Sequence, residues 1–155
     1  MAGHVEMKLA ELGIVLPTPM PPIANYVPFV IAGDLVIVSG QVPAVDGKVA
    51  ITGKVSWGVS TEQAKDAARI CFINVLAHLK IACGGDLDRV KRVVRLGGFI
   101  AAPSDFKDHA LVMNGASDLA VALFGEAGRH ARTTIGVPSL PADAAVEVEG
   151  MFQIA

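Results

Sequence analysis

The chain is short of charge, of aromatic rings and of cysteine. Charged residues make up 18% of its 155 residues and aromatic residues 5%, with one Trp and one Tyr; an average chain carries about 25% charged residues. Its lysines and arginines form no basic tract and the net charge is −2. A dedicated nucleic-acid surface, which needs clustered cations, is therefore not expected. Two cysteines, Cys71 and Cys83, are too few for a disulfide framework and fit a reduced, cytoplasmic protein. No run approaches the roughly 18 uninterrupted apolar residues of a membrane span, and Met-Ala-Gly-His-Val-Glu at the start does not read as a signal peptide. The histidines, His4, His78, His109 and His130, show no ligand-spaced pair, so no metal site is expected. Neither Gly84-Gly85 nor Gly97-Gly98 matches a phosphate- or dinucleotide-cradling loop, and there is no repeat or linker.

What is present is apolar surface. Hydrophobic residues are 52% of the chain, and one domain over residues 1–155 is long enough to bury roughly 70% of its unfolded surface. Subunit contacts are the expected destination of the surplus, so a closed homo-oligomer is expected.

Val5, Leu9 and Leu12 predict a short helix over 4–13. Pro17, Pro19, Pro21, Pro22 and Pro28 then forbid continuous regular structure. Gly33-Asp34 splits two β-rich runs and predicts a hairpin, and a further strand is expected near 49–57. Ser60-Thr-Glu-Gln63 is a capping-box pattern, followed by an apolar stripe from Ala64 to Leu79 and closed by Gly84-Gly85. Residues 90–102 read as a strand. A second helix is expected from Pro103-Ser104 to about Phe124, and two strands follow. The sum is α+β, two helices on one face of a mixed sheet, plus the extra N-terminal helix.

The chemistry concentrates in Arg132-Thr-Thr-Ile-Gly-Val-Pro-Ser-Leu-Pro and Val146-Glu-Val-Glu149. Strand alternation puts Arg132, Thr134 and Gly136 on one face, and Glu147, Glu149 and Met151 together on a face of the next strand. A hairpin about Ser139-Leu140 would set Arg132 opposite Glu147. A guanidinium fork beside a carboxylate can hold a small carboxylic acid and move protons on it; it can equally be a sheet salt bridge. Arg129 and His130 are either solvated loop residues or the rim of a pocket around Arg132.

Ser39-Gly-Gln-Val-Pro43, Asp86-Leu-Asp-Arg-Val-Lys91, Asp105-Phe106 and the Arg132 and Glu147 segments, in this order and spacing, resemble the Rid (YjgF-like) family over roughly residues 22 to 155, with residues 1–21 as an N-terminal extension. The resemblance implies a chorismate-mutase-like (YjgF-like) fold and a homotrimer with ligand pockets between subunits. It also implies hydrolytic deamination of small reactive 2-imino or enamine acids to 2-oxo acids, without cofactor or metal. By matching position it assigns Arg132 to the substrate carboxylate and Glu147 to the water. Tyr26, Ser39, Gly40, Asn114 and Thr134 would line the pocket, Thr134 standing where many active members have Cys. The alternatives are a non-catalytic small-carboxylate binding protein on the same fold, and the endoribonuclease activity attached to some members, against which the charge balance argues.

Overall fold

The structure is a computed structural model describing residues 1–19 and 21–155. Helix α1 (His4–Glu11) buries Val5 and Leu9. Its own N-terminal residue makes no side-chain cap. The carboxylate of Asp88 instead accepts from the backbone N–H of His4 at 2.7 Å and of Val5 at 2.9 Å, satisfying first-turn donors from 84 residues away.

Strands β1 (Phe29–Ala32) and β2 (Leu35–Gln41) form the expected hairpin, turning at Gly33 with φ +63°. The single strand expected near 49–57 is not found. Two short ribbons replace it, β3 (Ala44–Val45) with β4 (Lys48–Val49), and β5 (Lys54–Val55) with β6 (Gly58–Val59), both outside the main sheet. Positive φ at Gly53 and Ser56 breaks the extended run expected over 49–57, while Asp46 and Gly47, also at positive φ, make the tight turn between β3 and β4.

Helix α2 (Thr61–Ala82) carries both halves of the Ser60/Gln63 capping box. Its face of Ala64, Ala67, Ala68, Cys71, Phe72, Val75, Leu76 and Leu79 is buried, and Phe72 stacks on Phe152 with centroids 6.5 Å apart. Emptying the Phe72 site to alanine would cost about 3–5 kcal/mol. Strand β7 (Val90–Ala101) follows. Helix α3 (His109–Phe124) starts five residues later than the Pro103-Ser104 signal suggested. Residues 103–106 are spent on a turn that closes with Phe106 N–H on the Pro103 carbonyl, and Phe106 packs against the core edge-on to His109. Gly115 lets α3 approach α2 closely, since a Cβ there would overlap the Lys65 carbonyl. Strands β8 (Ala131–Val137) and β9 (Val146–Ile154) complete the chain.

The main sheet has the order β1-β2-β9-β7-β8, with β8 parallel to β7 and the other neighbours antiparallel. The fold is thus α+β with a mixed sheet and three helices. Here the expected β8–β9 hairpin fails, because β7 lies between the two strands. A parallel partner requires a crossover, and α3 supplies it, leaving β8 at the sheet edge. The chain then steps over the end of β7, where Ala102 N–H reaches the Val137 carbonyl and Ala101 N–H the Ala145 carbonyl. Strand β9 alternates strictly, with Val146, Val148, Gly150, Phe152 and Ile154 buried.

Both long helices cover the same sheet face, α2 over β2 and β9, α3 over β7 and β8, while α1 leans on α3. The opposite face has no helix. It carries Phe99, the Arg95–Glu149 ion pair at 3.2 Å, and exposed Val30, Ile37 and Ile135. Among the described residues no helix is long and apolar enough to cross a membrane.

Candidate functional site

The predicted site residues fall into two groups. The first belongs to α3 and β8. Arg132, Thr134 and Gly136 share the α3-facing side of β8, as strand alternation requires: Arg132 reaches α3, and Cβ atoms built at Gly98, the partner of Thr134, and at Gly136 would meet Met113 and His109 of the helix. Arg132 Nη1 donates to Asn114 Oδ1 at 2.8 Å and to Ser117 Oγ at 3.0 Å, and Nη2 donates to the Ala110 carbonyl at 3.2 Å. Residues 110, 114 and 117 recur at helical spacing and form one face of α3. A guanidinium has five N–H donors. Three are taken here, leaving Nε–H and one Nη2–H among the described residues, the number a carboxylate fork accepts.

The network extends one step further. His130 Nδ1 lies 2.6 Å from the Gly128 carbonyl and Nε2 lies 2.8 Å from Ser117 Oγ. A carbonyl only accepts, so Nδ1 carries the proton, Nε2 accepts from the Ser117 hydroxyl, and that hydroxyl accepts from Arg132. Burial, and then the Arg132 charge, push the imidazole pKa down, against the opposing pull of the Gly128 carbonyl; the neutral tautomer is the one this chain needs. His130 is thus tethered to the Arg132 network through Ser117. Arg129 is exposed and pairs with Glu126 at 3.3 Å. The hydroxyl oxygen of Thr134 is buried without a protein partner among the described residues.

The second group gathers where β2 ends and β9 begins. Ser39 Oγ donates to the Val27 carbonyl at 2.7 Å and its N–H to the Pro28 carbonyl at 2.9 Å, tying the Tyr26 segment to β2. The β2–β9 register slips between Val38 and Gln41, and Gly40 sits inside that slip. A Cβ on Gly40 would overlap Glu147 Oε1 and lie 3.0 Å from its Cδ, so the missing side chain is what lets the carboxylate lie there. Glu147 has no protein hydrogen-bond donor among the described residues. Burial first, and the neighbouring Glu149 charge second, raise its pKa above the ordinary carboxyl value. Burial, and after it the Glu147 charge, hold the Cys71 thiol well above its usual range; with Cys71 fully buried, it is no nucleophile. Tyr26, Gly40 and Glu147 border one cavity of about 540 Å³.

The two groups do not meet within a chain. Arg132 is in register with Leu96, and Glu147 with Phe99, three residues along β7 and on its two sides. Two strand spacings and three residue rises put the Cα atoms on the order of 14 Å apart. Residues paired across strands point the same way, so Arg132, level with buried Leu96, faces the helices, while Glu147, level with Phe99, faces the helix-free side. The cross-strand pair expected from a hairpin is therefore corrected: β7 separates the strands. Ser117 was missed in the sequence, although its i+3 spacing from Asn114 was the available signal.

A family model described as YjgF/chorismate_mutase-like, putative endoribonuclease, matches residues 6–152. Protein TCP17 of Trypanosoma cruzi is 42% identical over 154 residues, 99% of this chain and 96% of that protein. The crystal structure of Atu1372 from Agrobacterium tumefaciens, a protein of unknown function, is 45% identical with a TM-score of 0.90, covering 97% of this chain and 92% of that one. A putative endoribonuclease from Shewanella oneidensis is 32% identical with a TM-score of 0.94, covering 98% of this chain and all of that one.

Proposed function

Because the chain belongs to the YjgF/chorismate-mutase-like family, we propose that it is a hydrolytic deaminase of reactive 2-imino acids, working as a homotrimer whose pockets lie between subunits. The observation that carries this reading is Arg132, fixed by three acceptors and left with two N–H groups for a carboxylate. The separation of the two groups supports the oligomer. β8 is an edge strand, and the helix-free face exposes Val30, Ile37 and Ile135, so a second copy can bring its Glu147 group to the Arg132 group of the first.

In the proposed reaction the substrate carboxylate docks on Arg132. Glu147 of the adjoining subunit accepts a proton from water as the water oxygen bonds to the imine carbon and the C=N π pair moves to nitrogen. Glu147 returns that proton to the nitrogen, giving the neutral carbinolamine. It then takes the proton of the carbinolamine hydroxyl and passes it to the nitrogen as the C–N bond breaks, so the C=O forms, ammonia leaves and a 2-oxo acid remains. A carboxyl with a raised pKa suits both transfers. Orientation does the rest, since an imine already hydrolyses in water. Thr134 would contribute its backbone carbonyl, and Tyr26 and Ser39 would wall the pocket.

The test is the decay of 2-iminopropanoate generated in situ by an amino-acid oxidase. Arg132→Ala should lose about 100-fold or more in kcat/KM, from two charge-assisted hydrogen bonds at about 1.5–3 kcal/mol each, with the oligomer intact by light scattering. Unchanged acceleration by the variant defeats the proposal. Binding of 2-oxo acids without turnover would instead favour a carboxylate-binding protein.

A further inference from the structure

The Gly128-Arg129-His130 segment carries the chain from α3 into β8 and is held on two sides. Gly128 is buried, and a Cβ there would overlap the Ala120 carbonyl and lie 3.0 Å from Val121 Cα, so the glycine lets the segment press against the last turns of α3. From β7, Arg92 Nη1 donates to the Arg129 carbonyl at 2.8 Å. The half-buried His130 ring follows from this fixed backbone.

The hydrogen bonds from Arg132 back to the segment all run in one sense. Arg132 Nη1 donates to Ser117 Oγ at 3.0 Å, the Ser117 hydroxyl donates to His130 Nε2 across 2.8 Å, and His130 Nδ1 donates to the Gly128 carbonyl across 2.6 Å. The chemistry of its ends sets the sense: a guanidinium cannot accept and a carbonyl cannot donate. Burial, by pushing the His130 pKa down, keeps the ring neutral and able to accept. A hydroxyl that gives its proton becomes a better acceptor, so the chain strengthens its own first bond, the one to Arg132.

Ser117 has a competing use for its hydroxyl. A serine inside a helix bonds back to the carbonyl four residues earlier, here that of Met113. By taking the proton, His130 holds the oxygen towards Arg132 instead. The guanidinium is planar, so its bonds to Asn114, Ser117 and the Ala110 carbonyl together fix its plane. That plane sets the direction of the Nε and Nη2 hydrogens left for a ligand.

We propose that His130 is a positioning residue for Arg132: by holding the Ser117 hydroxyl in the donating sense, it fixes the plane in which Arg132 presents its fork, and so sets how tightly a small carboxylate is gripped. That the ligand is a carboxylate rests on the proposed function; the orientation of the guanidinium does not.

Two measurements keep these apart. The first is calorimetric titration with pyruvate, which needs no turnover. His130→Phe keeps a ring and removes both of its hydrogen bonds, and should raise the dissociation constant about fivefold, the worth of one neutral hydrogen bond. His130→Leu serves if the phenylalanine variant does not fold. His130→Gln, whose amide offers one donor and one acceptor, should recover most of the loss. In a Ser117→Ala background His130→Phe should add less than about twofold, because the group it acts through is gone. The full loss in that background, no loss in wild type, or a glutamine variant no better than phenylalanine overturns the proposal. The second measurement is nitrogen NMR of the Arg132 side chain, assigned by its disappearance in Arg132→Lys, with no ligand present. A fixed guanidinium gives separate Nη signals, and His130→Phe should merge them; signals that stay separate in the variant overturn the proposal. Merging in the variant, with no pyruvate bound by wild type, leaves the positioning role standing and defeats the carboxylate reading of Arg132.

Discussion

Arg132 and Glu147 are held in opposite ways. The arginine is gripped by an α3 face that supplies a side-chain amide, a hydroxyl and a carbonyl, and the hydroxyl is itself held by His130. The glutamate rests in a space cleared by a glycine, with burial and a like charge raising its pKa. A carboxylate anchor has to be rigid before the ligand arrives. A group that must take and return protons works best uncommitted and poised nearer neutrality. The difference in support therefore predicts a difference in how the two halves fail.

Glu147→Gln keeps the shape and removes the proposed base, so it should lower kcat by about 10²–10⁴ while KM for the imine stays nearly unchanged; a loss confined to KM would place Glu147 in binding instead. Ser117→Ala removes one of three supports from Arg132 and should act the other way, raising KM about tenfold at near-constant kcat, the worth of one hydrogen bond to a charged group. An equal loss in kcat would mean the guanidinium is needed in the transition state as much as in binding. A pH profile sharpens the contrast. Activity carried by ionised Glu147 should rise through an acidic limb lying above the ordinary carboxyl pKa, and Glu149→Gln should move that limb to lower pH without returning it fully, because burial is the larger cause. A limb unmoved by the substitution would assign it to another group. The smallest effect lies outside the site. Asp88→Asn weakens the remote cap on α1 and should cost about 1 kcal/mol, a Tm loss of about 2–4 °C, with catalysis unchanged. The α1 N–H groups hold the Asp88 pKa down, so its contribution is present above the unfolded-state pKa and fades as pH falls towards the folded value. Wild type and variant should converge in stability in acid.

Local rules carried much of the fold. The Gly33-Asp34 hairpin, the Ser60/Gln63 cap, the α2 stripe and the two-face alternation of β8 and β9 all follow from spacing within one element, and each is found. Two expectations failed, one to local backbone conformation and one to a distant contact. The 49–57 run reads as strand by composition, but left-handed residues at Gly53 and Ser56 break it. The β8–β9 hairpin had suitable turn residues, yet β9 gains more by burying between β2 and β7 than by pairing at an edge.

The site shows the same division. The sequence by itself determined which residues share a face: Arg132 with Thr134, Glu147 with Glu149, and Asn114 at helical spacing from the Ala110 and Ser117 positions that complete the guanidinium cradle. Side-chain period is a property of one strand or one helix and needs no partner. Only the tertiary structure decided that the two charges lie on opposite sides of one sheet with β7 between them, that His130 steadies Arg132 through Ser117, and that α1 takes its cap from Asp88. Those relations depend on which strand a crossover delivers to which edge, and that is settled by the burial of whole elements against each other.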